Sequence, residues 1–144
     1  QARAERAAEP LSIILFDLDN FKAINDDYGH DVGDNVLMIV GEIVKDSLRP
    51  YDLAARIGGE EFCIVLPRTS GEAALKIAER LRVAFQASYL EPLAKGRITC
   101  SFGVIQADPS ERLQQLLRRA DTALYRAKET GRNRVIGAFV DKTQ

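Results

Sequence analysis

Residues Leu53–Pro67 read "LAARIGGEEFCIVLP", two apolar runs parted by Gly58, Gly59, Glu60 and Glu61. Glycine takes positive φ at no steric cost, so the pair predicts a tight reversal between two strands. The glutamates pose a separate question, because adjacent like charges repel unless a cation lies between them. Upstream, the run Leu11–Leu18, "LSIILFDL", is almost continuously apolar, which predicts a central strand covered on both faces.

Working outward from these strands, a short helix is expected from Phe21 to Asp26, followed by the loop "DYGHDVGD". A longer helix then carries Leu37, Val40, Ile43, Val44 and Leu48 on one stripe. After the hairpin, Thr69 and Glu72 are spaced as a capping box, opening a helix that buries Ala74, Ile77, Ala78, Leu81 and Phe85. "RITCSFGVIQ" reads as a strand. The last long helix packs through Leu113, Leu116, Leu117, Ala120, Leu124 and Ala127 and ends at Gly131. "RVIGAFV" closes the chain as a strand, and "QARAERAAE" is a charged helix end stopped by Pro10. The order β-α-α-β-β-α-β-α-β predicts an α+β layered fold: a central mixed, mainly antiparallel sheet flanked by helices, close to the split βαβ or ferredoxin-like pattern.

A chain of 144 residues corresponds to one domain with a single core. Its 46% hydrophobic and 28% charged content excludes a disordered or collagenous chain. The net charge of −1 supplies no global basic field, so no long nucleic acid is expected as a partner. No apolar run is long enough to span a membrane and no signal peptide opens the chain. Cys63 and Cys100 lie inside strand-like runs and read as buried thiols of a reducing compartment, which points to the cytoplasm.

"FDLDNF" ends the first strand with Asp17 and Asp19. Residues two apart on a strand share a face, so both carboxylates leave the sheet together while Phe16 and Leu18 face the other way. If the hairpin pairs beside this strand, Glu60 and Glu61 reach the same edge. Alone, the aspartates read as a solvated strand end and the glutamates as a polar hairpin tip. Together they ask for a hard divalent cation, for which magnesium is usual where substrate phosphates complete the shell. Lys22 is either a surface lysine or a phosphate partner at a helix start. Asp34 is either a first-turn acid or a bidentate acceptor for guanine, and Asn25 adds an amide donor and acceptor. Lys128 and Arg132, four apart, form a solvated basic face or a phosphate clamp. His30, the only histidine, belongs to the turn, and "RPYD", Arg49 to Asp52, reads as a helix end followed by a turn.

"GGEEF" at Gly58–Phe62 resembles one of the two accepted spellings of the signature of GGDEF-domain diguanylate cyclases. "FDLDNFKAINDDYGHDVGD" matches the companion motif of that family, and "ADTALYRAKETGRNRV" looks like its carboxy-terminal motif. The resemblance covers residues 1–144 as a single catalytic domain and implies a fold similar to polymerase palm domains. It implies that Asp17, the Leu18 carbonyl, Glu60 and Glu61 hold two Mg2+ (or Mn2+) ions per half-site. Glu60 would help deprotonate the attacking hydroxyl, with Lys22 as the second catalytic group. Asn20, Phe21, Asn25, Asp34, Lys128 and Arg132 would bind GTP, and Arg49, Asp52 and Arg80 would form an inhibitory site for the product.

The implied reaction joins two GTP molecules into cyclic di-GMP in a face-to-face homodimer. An upstream sensor or dimerisation domain is implied as a partner, with membrane anchorage, if any, elsewhere in the protein. The family's "LTGLxNR"-like segment has no counterpart before "QARAERAAEP", so a fragment lacking it is expected. Two other classes compete: a weak or silent cyclic di-GMP receptor, which would not need to keep the metal ligands, and a polymerase palm fragment, which would need a basic, aromatic-rich groove.

Overall fold

Strand β1, Leu11–Leu18, buries seven of its eight residues, as a run without polar alternation must. The computed structural model describes residues 9–137; all but Glu9 of the helix end expected over residues 1–9, and the last residues of the closing strand, lie outside the described residues, and Glu9 itself is not helical. After β1 come α1 (Phe21–Tyr28), α2 (His30–Ser47), β2 (Leu53–Arg56), β3 (Glu61–Pro67), α3 (Gly71–Ala87), β4 (Cys100–Gln106), α4 (Leu113–Glu129) and β5 (Val135–Gly137). The sheet order is β2-β3-β1-β4-β5, with β4–β5 the parallel pair and the other three pairs antiparallel. The expected α+β architecture is the one observed. No helix of the described residues is long and apolar enough to cross a membrane.

Both faces of β1 are covered, by different partners. Ile14, Phe16 and Leu18 face α2 and α3, joining Val36, Val40, Leu81 and Phe85 in the larger core. Phe16 anchors this side, stacking on Phe62 at 5.0 Å and tilting against Phe85 and Phe102 at 5.4 and 5.1 Å. Ile13 and Leu15 face α4, against Leu116, Ala120, Ala123 and Leu124. Helix α4 lies almost on the backbone of β4 here. A Cβ at Gly103 would come within 2.5 Å of the Leu124 nitrogen and 2.6 Å of the Ala120 oxygen. Asp17 therefore points to the α4 face, opposite Glu61 on one side and Ser101 on the other.

Three local expectations are corrected. The stretch "DYGHDVGD" is not a loop: α1 runs to Tyr28, Gly29 alone breaks the helix at φ 94°, and α2 starts at His30. The cap of α3 is Ser70, whose hydroxyl accepts from the Ala73 N–H, because the Thr69 hydroxyl already donates to the Pro67 carbonyl. The reversal at Gly58–Gly59 forms with neither glycine at positive φ.

Candidate active site

The end of β1 gathers the acidic groups. Asp17 and Glu61 are directly opposed across the β1–β3 ladder, and the Leu18 N–H donates to the Glu60 carbonyl at 3.3 Å. Glu60 and Glu61 thus reach the same edge as Asp17, half-buried rather than fully solvated. Burial raises all three carboxyl pKa values, and mutual repulsion adds to it: Asp17 on Glu60, Asp121 and then Asp17 on Glu61. Asp121, on the exposed side of α4, was not anticipated from motif spacing.

One ammonium answers these charges. Lys128 reaches from α4 to within 2.5 Å of Asp17 Oδ2, and the Arg132 charge also favours the Asp17 carboxylate. Desolvation outweighs both, so the Asp17 carboxyl stays above its ordinary value. Among the described residues no three Asp, Glu, His or Cys side chains form a closed cation cage. The donor set still fits a hard cation: clustered carboxylate oxygens, short of ligands, that phosphate oxygens would complete.

Asp19 departs from expectation. It is 4% exposed and spent on hydrogen bonds, accepting from Thr99 Oγ1 at 2.7 Å, Ser101 Oγ at 2.6 Å and the Asn133 N–H at 3.0 Å. It is a fastening for the turn after α4, not a fourth open carboxylate.

On the helix side, Asn20 takes a left-handed φ of 56° and leads into α1, whose first turn has no side-chain cap. Lys22 is exposed there, while Phe21 is buried in the core. The Asn25 Oδ1 atom is buried without a hydrogen-bond partner. It lies against Gly33, where any Cβ would overlap it, so the glycine is what lets α1 and α2 approach this closely. The next residue, Asp34, is exposed and lines a cleft of about 360 Å³ with Leu37, Met38, Gly41, Arg56 and Phe62. Arg56 is a further cation in this cleft. His30, at the start of α2, is exposed.

Across the sheet, Arg49 grips Asp52 through two guanidinium bonds of 2.9 Å and its own backbone N–H, and donates to Thr69 Oγ1 at 2.6 Å. Burial opposes the Asp52 charge, but the Arg49 hydrogen bonds outweigh it and hold the carboxyl below its ordinary value. Arg49, Asp52 and Arg80 line one cleft of about 670 Å³ together with Arg68 and Lys76, two cations that motif spacing did not single out.

The family model described as "Diguanylate cyclase, GGDEF domain" matches residues 1–134. Diguanylate cyclase DgcP of Pseudomonas aeruginosa is 45% identical over 138 residues, covering 93% of this chain and 20% of its own length. Diguanylate cyclase DgcM of Escherichia coli is 44% identical over 131 residues, 91% of this chain and 32% of its own. The chain thus spans between a fifth and a third of these curated relatives. Among solved structures, the GGDEF domain of DgcB from Caulobacter crescentus in complex with c-di-GMP aligns with a TM-score of 0.86 at 35% identity, over 94% of this chain and 82% of that one. The active GGEEF domain of a diguanylate cyclase from Vibrio cholerae aligns with a TM-score of 0.85 at 40% identity, over 94% and 87%.

Proposed function

This chain belongs to the family of diguanylate cyclase GGDEF domains, and from that premise we propose that it condenses two GTP molecules into cyclic di-GMP and two pyrophosphates. The observation that carries the reading is the convergence of Asp17, Glu60, Glu61 and Lys128 at one sheet edge from β1, the hairpin and α4. The 3′-oxygen of one GTP attacks the α-phosphorus of the other, the bond to pyrophosphate breaks, and the same exchange closes the ring.

Two divalent ions, magnesium or manganese, held by Asp17, the Leu18 carbonyl, Glu60 and Glu61, would supply Lewis-acid polarisation of the phosphate and acidify the hydroxyl. Glu60 accepts the proton of the 3′-hydroxyl. Lys22 and the start of α1, with Asn20 and Phe21, face the phosphates. Lys128 and Arg132 stabilise charge on the departing pyrophosphate. Asp34 and Asn25 read the guanine edge. Arg49, Asp52 and Arg80 bind the product and inhibit.

One domain holds one GTP, so two must meet across a two-fold axis, each supplying a hydroxyl to the other's phosphate. We place the domain in the cytoplasm, within a longer protein whose sensor or dimerisation domain controls the encounter. Incubation with Mg2+ and GTP, with the product identified by mass, tests the reading. Cyclic di-GMP is the expected product. Binding of cyclic di-GMP without any turnover, in a proven dimer, would replace the cyclase by a receptor.

A further inference from the structure

The turn that follows α4 holds two consecutive non-glycine residues in the left-handed region, Arg132 at φ 63° and Asn133 at φ 46°. Asparagine tolerates this region; arginine gains nothing from it, and such a pair persists only where its surroundings over-determine it. Two sets of contacts do so. From the sheet, the buried Asp19 accepts the Asn133 N–H at 3.0 Å on the same oxygen that Thr99 Oγ1 reaches at 2.7 Å, while Ser101 Oγ holds the other oxygen at 2.6 Å. From α3, Arg82 Nη1 donates to Asn133 Oδ1 at 3.1 Å, and Arg82 is itself fixed by two bonds to Glu79 at 2.9 and 2.6 Å. The Arg132 N–H closes onto the Ala127 carbonyl at 2.9 Å. Asn133 is gripped at its backbone by one element and at its side chain by another.

Arg132 directly precedes the gripped Asn133, and its N–H is tied to Ala127, the neighbour of the Lys128 that pairs with Asp17. We infer that Asp19, Asn133 and Arg82 form a clamp of positioning residues that fixes Arg132 beside the acidic cluster, in the conformation from which it meets the triphosphate. The inference rests on the proposed phosphate role of Arg132. None of the three clamp residues needs to touch the nucleotide.

The clamp makes a prediction that a general contribution to folding does not. Arg82→Met removes the α3 arm without changing any residue of the turn itself. Asn133→Gly keeps positive φ and the N–H to Asp19 but deletes the Oδ1 acceptor. With Mg2+ present, each should weaken binding of a non-hydrolysable GTP analogue by roughly 3- to 10-fold, as expected for coupling within one hydrogen-bond network. Binding of GMP, which lacks the β- and γ-phosphates, should stay unchanged. In an Arg132→Ala background neither change should weaken the analogue further. Arg82→Lys, which keeps a donor, should restore part of the loss, and amide exchange at Asn133 should speed up in Arg82→Met.

Equal losses for the GTP analogue and GMP, or full losses retained in the Arg132→Ala background, would overturn the clamp and leave Arg82 as a fold-stabilising group. If Arg132→Ala weakens the analogue while Arg82→Met and Asn133→Gly do not, the clamp alone is wrong. If Arg132→Ala itself leaves the affinity unchanged, the phosphate role of Arg132 fails and the clamp goes with it.

Discussion

The Lys128 ammonium stands 2.5 Å from the Asp17 carboxylate, across 111 residues of chain. It is the direct ion-pair partner of Asp17 in a cluster where three carboxyls are pushed upward by burial and by each other. The cluster is therefore under-compensated in the metal-free chain, and its titration should show it.

A carboxyl whose folded pKa is raised destabilises the fold while it is charged, and that penalty is relieved as pH falls through the folded value. Asp17, Glu60 and Glu61 behave so, against ordinary values of 3.8, 4.5 and 4.5. Asp52, Glu79 and Glu111 are lowered, so their stabilisation is complete above the ordinary values and is lost only as pH falls through the folded ones. The thermal midpoint without metal should rise as pH drops from neutral toward the ordinary carboxyl range and fall below it. Mg2+ with a non-hydrolysable GTP analogue should flatten the rise. A midpoint that declines steadily from pH 7 downward would contradict the under-compensated cluster.

Glu60→Gln removes one of the crowded charges without opening a core, since Glu60 is only half-buried. Cyclic di-GMP synthesis should fall on the order of 100-fold or more, as for loss of a general base. The melting temperature should hold or rise slightly, because a repelled carboxylate has gone. Full activity in a folded Glu60→Gln dimer would sink the assignment.

Adenine lacks the N1–H and 2-amino donors that a carboxylate at Asp34 would accept. A site built for such donors rejects the analogue lacking them, by less where the carboxylate remains open to water, as Asp34 does. The native domain should prefer GTP to ATP strongly in kcat/KM, and Asp34→Ala should weaken GTP use and narrow the ratio. Its exposed position predicts no change in the melt. Equal use of both nucleotides by the native chain would contradict the guanine reading.

The cleft proposed for the product needs two variants read together. Arg49→Ala leaves the Asp52 side chain, 1% exposed, without its cation, so it should cost stability as well as product binding. Because Arg49 is itself 38% exposed, roughly 1–2 kcal/mol is expected rather than the full cost of breaking a buried pair. Arg80→Ala, on the exposed face of α3, should weaken cyclic di-GMP binding in calorimetry with an unchanged melt. Undiminished binding in both variants would remove the cleft from the inhibitory mechanism.

Encounter of two half-sites is bimolecular when no partner domain tethers them. Rate per domain should therefore climb with protein concentration over a wide dilution series, in step with dimer measured by light scattering. A rate independent of concentration from a proven monomer would end the two-half-site mechanism.

The architecture was legible because its evidence is local. A run with no polar alternation needs cover on both sides, and Leu11–Leu18 has it. The carboxylate edge was legible for the same reason, since strand pairing alone carries Glu61 opposite Asp17. What stayed hidden depends on distant partners. Asp19 looks like an open acid until Thr99, Ser101 and Asn133 are brought to it from 80 or more residues away. Gly33 looks like a loop residue until Asn25 needs its missing Cβ. Thr69 looks like a cap until its hydroxyl turns out to serve Pro67 and Arg49.

The position of β1 has a consequence for how the chain comes to be folded. It is the first strand among the described residues and the middle strand of the sheet, and its neighbours begin only at Glu61 and Cys100. Until β3 arrives "LSIILF" has two unpaired edges, one of them stays open until β4, and the faces that α3 and α4 cover stay bare meanwhile, which is the profile of a segment that recruits other chains. During synthesis that exposure lasts for most of the domain's length, and long-range pairing of this kind is slow. The acidic edge is completed in two steps, because β1–β3 pairing brings Glu61 opposite Asp17 while the Lys128 partner arrives only with α4. Yield from an expression host should accordingly be limited by early aggregation of the nascent chain, and slower translation or a holdase acting before β4 emerges should raise it.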